Sequence, residues 1–264
     1  RSKERGLTMT ETHVALTSGG MDSAVASHVA VRWGDAEILV YLDTTTGTES
    51  NRRYVERLAD HLGVQVWTLR THRPYGEWVT GSAEGFPGHG MHSFAYRRLK
   101  EAQIDKLYSI AETPLHLWTG IRARESDARM ATAAPVEDDN RRAERYWHNP
   151  IHDWSKRDCR QYVEQFNLPR NHLWRTLGRS ADCQCGCFGS PEELLDLEAA
   201  GCDRTVDHLR SLESELDRDD ERGVWGWGGM TDIEQRAERV DDDKQMRLCR
   251  HCEPAVPDGG VADD

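Results

Sequence analysis

The chain has 264 residues, of which 37% are hydrophobic and 30% are charged, so it can bury a substantial core and is not fibrous. Its formal net charge of −12 argues against a generally basic surface for nucleic acid. No apolar run approaches the roughly 20 residues that a membrane-spanning helix needs. The charged first residues lack the apolar stretch of a secretory signal. We therefore expect a globular, cytoplasmic protein.

The cationic residues are unevenly divided, since 29 of the 34 are Arg. Few Lys residues and many acidic ones are typical of proteins from salt-loving organisms, whose acidic surfaces stay hydrated in concentrated salt. At molar salt the Debye length falls to about 3 Å, so the negative charge does not by itself exclude a nucleic-acid partner. The alternative interpretation is an acidic protein of the ordinary cytosol.

Strand-like and helix-like segments alternate over the first 120 residues. The predicted strands cover residues 13–17, 37–42, 64–69 and 115–119, and the predicted helices cover 22–33, 51–62 and about 93–110. Strands that are separated by helices of this length predict a parallel sheet with right-handed crossovers.

The second half of the chain has a different pattern. Residues 133–145 are polar and charged, which predicts an exposed loop or lid, and residues 146–152 predict an edge segment. A helix should begin at Ser155, where Asp158 supplies an acidic first turn. Further helices are predicted to begin at Pro191 and to cover residues 203–216.

A phosphate-binding loop follows the first predicted strand. The glycines Gly19 and Gly20 allow backbone N–H groups to approach phosphate oxygens at a helix N-terminus, and Ser18 and Ser23 add hydroxyl groups. Asp22 would repel phosphate unless Mg²⁺ lies between them, so the loop implies a metal ion. The alternative is a glycine turn that has no ligand.

Four segments, in chain order, resemble a known family. Residues 18–23 (Ser-Gly-Gly-Met-Asp-Ser) resemble the PP-loop of adenine nucleotide α-hydrolases, which split ATP between its α and β phosphates. Residues 43–49, residues 119–126 together with Arg129, and residues 149–155 resemble the phosphoadenosine phosphosulfate (PAPS) reductase branch. The resemblance implies an α/β fold with a parallel, five-stranded-type sheet sandwiched by helices, Rossmann-like, of the HUP/PP-loop type.

The resemblance also implies a domain organisation. We expect a flexible tail at residues 1–12, a PP-loop nucleotide-binding domain at 13–180, a small helical, Cys-containing C-terminal region at 181–256 and a disordered tail at 257–264. The oligomeric state stays open, and a homodimer is one option.

The matched segments supply candidate site residues. The resemblance implies catalysis by Asp22, Arg122 and Arg124, with arginines gripping the polyphosphate through charge-assisted hydrogen bonds. Further nucleotide contacts are implied for Asp43, Gly120, Glu125, Ser126 and Arg129. The alternatives are an arginine-rich surface turn for the arginines and a loop cap for Asp43.

The intact loop bears on the reaction. PAPS reductases usually carry a degraded loop and a nucleophilic cysteine in a Glu-Cys-Gly-type tail. This chain resembles instead the members that hydrolyse ATP to AMP and pyrophosphate, nearest in type to the ATP pyrophosphatases of DNA phosphorothioation systems. Such an enzyme adenylates an oxyanion acceptor for sulfur transfer, with a cysteine desulfurase and DNA-modification proteins as partners. The alternatives are a thioredoxin-dependent PAPS or APS reductase and a non-catalytic nucleotide-binding scaffold subunit.

Five of the seven cysteines form two tight groups. Cys183, Cys185 and Cys187 precede Cys249 and Cys252, and four thiolates suit zinc or an iron–sulfur cluster. We favour Cys183, Cys187, Cys249 and Cys252 as ligands, with Cys185 as a substitute. The resemblance favours [4Fe–4S], and Zn²⁺ is the alternative. Unrelated buried cysteines are the remaining interpretation, and it is the one that we apply to Cys159 and Cys202.

Two weaker features carry open alternatives. Trp225 and Trp227 could stack on a base, although a tail packed on the domain is favoured. His89 and His92 could contact substrate, although solvated loop histidines are more common.

Overall fold

The structure, a computed structural model, describes residues 11–125, 133–216 and 219–230. The strands are β1 (Thr12–Leu16), β2 (Ile38–Asp43), β3 (Gln65–Arg70), β4 (Leu115–Trp118), β5 (Val136–Asp138) and β6 (Arg145–His148). The α-helices are α1 (Met21–Trp33), α2 (Glu49–Leu62), α3 (Tyr75–Glu77), α4 (His92–Tyr96), α5 (Ala102–Ile110), α6 (Lys156–Gln165), α7 (Leu173–Thr176), α8 (Glu193–Ala199) and α9 (Asp203–Glu215).

The strands form one sheet in the order β3-β2-β1-β4-β6-β5. Neighbouring strands are parallel except for β5, which pairs antiparallel with β6. From β1 the chain proceeds outward through β2 to β3 and then returns to β4 on the other side of β1. The direction of strand order therefore reverses between β1 and β4, and the carboxyl ends of these two strands form the crevice where open α/β sheets bind ligands.

Helices cover both faces of the sheet. Because side chains alternate between faces along a strand, Ala15 packs with the α2 residue Leu58 while its neighbour Val14 packs with the α5 residue Leu107. All four side chains are completely buried. The predicted α/β class with a mostly parallel sheet is confirmed, and the parallel part has the five strands expected.

The C-terminal helices pack on the segment that follows β3. Leu209 of α9 and the later Trp225 share a buried cluster with Tyr75, Leu173 and Cys187. The expected helical, cysteine-containing C-terminal part is thus present as far as residue 230. This cluster joins residues on both sides of position 180, and the proposed boundaries at 12, 180 and 256 stay predictions.

Local sequence signals have mixed outcomes. The Ser155 Oγ accepts from the Asp158 N–H at 3.2 Å and Asp158 Oδ2 accepts from the Ser155 N–H at 2.7 Å, so the helix start predicted there is confirmed as a capping box. The prediction of a loop or lid over 133–145 is wrong at β5, which is a strand. Because β5 forms the edge of the sheet, the prediction of an edge segment over 146–152 is wrong at β6. The helix predicted near 93–110 is interrupted by a π-helical turn at Arg97–Glu101.

Within the part of the chain that the structure describes, no helix combines the length and the apolar character that crossing a membrane requires.

Candidate functional site

The loop after β1 places backbone donors at the crevice. Gly20 precedes the first residue of α1, and no side chain among the described residues caps this helix start. The first-turn N–H groups are therefore available to an anion. The Ser23 Oγ donates to the Gly20 carbonyl at 2.9 Å and lies 3.2 Å from the Ser18 Oγ, so the two hydroxyl groups line the same loop.

Three side chains from distant segments hold this loop from behind. Asn51 Nδ2 donates to the Ser18 carbonyl at 2.8 Å, and Trp174 Nε1 donates to the Gly19 carbonyl at 2.8 Å. Asn171 Nδ2 donates to Asn51 Oδ1 at 2.8 Å and thereby holds the Asn51 side chain in place. Gly19 has φ +79°, and a Cβ there would lie 2.2 Å from Asn51 Oδ1, so only glycine fits.

The acidic residue of the loop meets an arginine from the loop after β4. Arg122 Nε donates to Asp22 Oδ2 at 2.9 Å, and both side chains are largely buried. Asp22 Oδ1 is buried and has no nitrogen or oxygen partner among the described residues. A carboxylate oxygen in this position fits a hard cation such as Mg²⁺.

Gly120 allows the two loops to approach each other. A Cβ on Gly120 would lie 2.6 Å from both the Asp22 carbonyl carbon and the Ser23 nitrogen. Any side chain at this position would push the β4 loop away from the start of α1. The glycine in the Thr-Gly-Ile-Arg segment is therefore required by close backbone packing at the site itself.

The other predicted site residues have different surroundings. The Asp43 carboxylate is fully buried, and it accepts from Arg70 Nε at 3.0 Å and from the Thr45 N–H at 2.9 Å. These contacts give Asp43 the role of ordering its own loop. Arg124 lies exposed on a short 3₁₀ turn that ends at Glu125.

Four predicted residues cannot be placed. Ser126, Arg129, Cys249 and Cys252 lie outside the described residues. Several arginines were expected to bind phosphate. In the described part of the chain, Arg122 is the one of them that lies at the loop.

The segment with the first cysteine group lies beside the site. The Thr48 N–H donates to the Ala181 carbonyl at 3.0 Å, and the Gln184 N–H donates to the Thr46 Oγ1 at 2.9 Å. A buried ion pair joins Lys100 Nζ to Asp182 Oδ2 at 2.9 Å. These contacts fix residues 181–184 against the loop that follows β2.

The three cysteines of this segment differ in exposure. Cys183 is partly exposed and lies 3.8 Å from the Thr46 Oγ1, whereas Cys185 and Cys187 are buried. Cys183 and Cys185 line a small cavity of about 30 Å³ together with Trp225. These thiols are suitable ligands for zinc or an iron–sulfur cluster. Their pairing with Cys249 and Cys252 stays a prediction.

Another thiol lies under the loop. Burial raises the pKa of Cys159 to about 12, and the negative charge of Asp22 contributes to the same shift. Cys159 is therefore a neutral packing residue at physiological pH, as expected from the sequence.

The weaker candidates have packing roles. Trp225 is almost fully buried, and its Nε1 donates to the Gln184 carbonyl at 2.9 Å, which agrees with the favoured interpretation of a packed tail. Trp227 Nε1 donates to the Phe86 carbonyl at 2.8 Å. His92 is buried rather than solvated, and its ring packs edge-on against Phe188 at a centroid distance of 4.4 Å.

Comparison with known proteins gives the family. The family model described as "Phosphoadenosine phosphosulfate reductase domain" matches residues 12–190, more than half of the chain. The chain belongs to this family. The segments that carried the resemblance all lie inside the matched region, and the expected family is confirmed. A specific relation to DNA phosphorothioation enzymes is not part of this match.

Individual relatives are distant. A phosphoadenosine 5'-phosphosulfate reductase from Xylella fastidiosa is 27% identical over 176 residues, which cover 61% of this chain and 67% of the relative. The corresponding protein from Xanthomonas euvesicatoria is 28% identical over 167 residues, with 61% and 66% covered. The crystal structure of PAPS reductase from Candida auris, a phosphate complex, is similar with a TM-score of 0.46 and 14% identity over 64% of this chain and 79% of the other.

Proposed function

We propose that the chain is a Mg²⁺-dependent ATP pyrophosphatase that forms AMP and pyrophosphate and adenylates an oxyanion acceptor for sulfur transfer. The observation that carries the proposal is Asp22, whose buried Oδ1 lacks a nitrogen or oxygen partner among the described residues at the start of α1. Arg122 pairs with Asp22 Oδ2 and the Cys159 thiol contacts the same carboxylate, so Oδ1 is the atom at which Mg²⁺ would separate Asp22 from a bound polyphosphate. Cleavage of a Mg²⁺-bound polyphosphate accounts for this residue.

The residues of the site suit charge neutralisation rather than covalent catalysis. The free first-turn N–H groups and the hydroxyl groups of Ser18 and Ser23 would bind phosphate oxygens, and Arg122 would stabilise the charge that develops on the leaving pyrophosphate. Asp22 would hold Mg²⁺, which supplies additional neutralisation when bound. Asn51 and Asn171 would keep the loop in its binding conformation.

The acceptor and the partners belong to the same proposal. An adenylated oxyanion, such as a DNA phosphate, can be attacked by the persulfide that a cysteine desulfurase supplies, with AMP as the leaving group. A thiol reductant would then cleave the remaining S–S bond and release the thiolated product. The cysteine segment beside the site would carry a [4Fe–4S] cluster or Zn²⁺ together with Cys249 and Cys252. These steps fit a cytoplasmic enzyme of sulfur metabolism.

A second function is favoured by the relatives. The relatives from Xylella and Xanthomonas are named PAPS reductases, which supports a reductase more than a pyrophosphatase. Thioredoxin-dependent release of sulfite from PAPS or APS would need a thiol nucleophile. Cys183 is the least buried of the cysteines in the described residues, and its neighbour Asp182 packs against the loop after β2.

One pair of assays separates these functions. The full-length protein is incubated with ATP and Mg²⁺, with and without DNA, and pyrophosphate is measured. In parallel it is incubated with PAPS and reduced thioredoxin, and sulfite is measured. We expect pyrophosphate and no sulfite. Sulfite without pyrophosphate would replace the proposal with the reductase, and tight ATP binding without either product would indicate a scaffold subunit.

A further inference from the structure

A group of histidines lies at the end of the sheet opposite to the nucleotide loop. His13 stands near the start of β1 and His116 near the start of β4, and the two residues are direct partners in the parallel register. Their side chains therefore project from the same face of the sheet. The rings stack with a centroid distance of 4.2 Å and an interplanar angle of 9°.

A carboxylate joins both rings. Glu11 Oε2 lies 3.4 Å from His13 Nε2 and 3.3 Å from His116 Nε2. The three ligand atoms all lie within 4.8 Å of one another. In a tetrahedral site with bonds of about 2.0–2.1 Å, donor atoms are separated by about 3.3 Å. Two of the three separations already match this value.

The surroundings prepare His116 as a ligand. His116 Nδ1 lies 2.8 Å from His148 Nε2, and donation along this contact leaves a lone pair on His116 Nε2. His116 Nε2 is buried and has no hydrogen bond in the described part of the chain. It lies 3.3 Å from Glu11 Oε2, and a cation bound to both atoms would satisfy both groups.

His13 needs a small rearrangement. Trp118 Nε1 donates to His13 Nδ1 over a long 3.4 Å contact, which favours a proton on His13 Nε2. The stacked rings also lie side by side instead of converging on a point. A tilt of the His13 ring would release the Trp118 contact, so that the proton can move to Nδ1 and the Nε2 lone pair can point to a metal ion beside the Glu11 carboxylate.

We propose that Glu11, His13 and His116 form a binding site for a divalent transition metal ion of the Zn²⁺ class. Two imidazoles and one carboxylate suit zinc and its neighbours, whereas Mg²⁺ and Ca²⁺ prefer oxygen ligands throughout. Three protein ligands leave a fourth position for water. The exposed side of Glu11 gives an entry path, since its side chain is 51% exposed.

The site lies away from the nucleotide loop. It lies at the amino ends of β1 and β4, whereas the nucleotide loop follows the carboxyl end of β1. A bound metal ion would join the first strand of the sheet to its central neighbour and stabilise the folded chain by mass action. This inference does not depend on the proposed reaction.

The test uses Zn²⁺ itself. The metal-free, reduced full-length protein is titrated with Zn²⁺, and bound zinc and the thermal midpoint are measured. Because the cysteines bind zinc as well, wild type is compared with Glu11→Gln, His116→Gln and a control, His61→Gln, in which an exposed histidine outside the cluster is changed.

We expect wild type and the control to bind one more Zn²⁺ than Glu11→Gln or His116→Gln, and to show an additional rise in the midpoint. We expect Glu11→Gln to fold like wild type, because the side chain is half exposed. The same zinc stoichiometry and the same thermal rise in Glu11→Gln as in wild type would overturn the proposal and leave a charge pair between glutamate and histidine only.

Discussion

The close contact at Gly120 makes its replacement by alanine a direct probe of how the site is assembled. The new Cβ would lie 2.6 Å from backbone atoms of Asp22 and Ser23, and ordinary contact begins near 3.4 Å. One of the two loops must therefore move by about 0.8 Å, because backbone atoms cannot rotate away as a flexible side chain can. Overpacking of this kind costs about 1–3 kcal/mol of stability.

The effect on function should exceed the effect on stability. A displacement near 1 Å in a site that acts by positioning costs on the order of 100-fold in rate. We therefore expect Gly120→Ala to stay folded, with a free energy of unfolding in urea that is about 1–3 kcal/mol lower than that of wild type. Its kcat/KM for the nucleotide should fall on the order of 100-fold.

A matched control is available at Gly81, where an added Cβ meets nothing within 4 Å. Gly81→Ala should keep both stability and turnover near wild type. Wild-type turnover in a folded Gly120→Ala protein would show that the two loops need not meet for the reaction.

Three further predictions follow from contacts near the loop. Asn51→Leu leaves the part-buried Ser18 carbonyl without its donor, which should lower the free energy of unfolding in urea by about 1–3 kcal/mol and raise the KM for the nucleotide. An unchanged KM would show that the position of the loop does not affect nucleotide binding. Lys100→Met leaves the buried Asp182 charge unpaired and should cost about 3–5 kcal/mol, whereas the double variant with Asp182→Asn should regain part of this loss. Cys159, with its pKa raised to about 12, should resist iodoacetamide in the folded protein at a pH near the ordinary thiol pKa of about 8.5 and react in urea, as mass spectrometry can show.

The main elements of the fold could be predicted because their signals are local. The alternating strand and helix patterns specify the parallel sheet, and Ser155 with Asp158 identifies a helix start to the residue. β5 was missed because Val136–Asp138 is short and two of its three residues are charged, so it lacks the alternation of a half-buried strand. It is formed by pairing with β6, which no short window of sequence contains.

The site shows the same division between local and distant signals. The loop from Ser18 to Ser23 is a contiguous motif and was found, whereas Asn51 and Asn171 are separated by 120 residues and only folding brings them together. The sequence places Asp43 directly after β2, but the arginine that pairs with it comes from β3, so this ion pair could not be predicted from one segment. The histidine cluster is likewise distributed over separate strands, so its spacing in the sequence carries no metal motif.

Pyrophosphate release tests directly whether Asp22 makes this loop a site of ATP cleavage. Wild type, Asp22→Asn and the control Asp35→Asn, which makes the same chemical change at an exposed position beyond the other end of α1, are assayed with ATP and Mg²⁺. Loss of a charge-stabilising group typically costs about 10²–10³ in rate. We expect such a loss in Asp22→Asn and wild-type release in Asp35→Asn. Equal pyrophosphate release by wild type and a folded Asp22→Asn protein, or no release by wild type while it forms sulfite from PAPS, would contradict it.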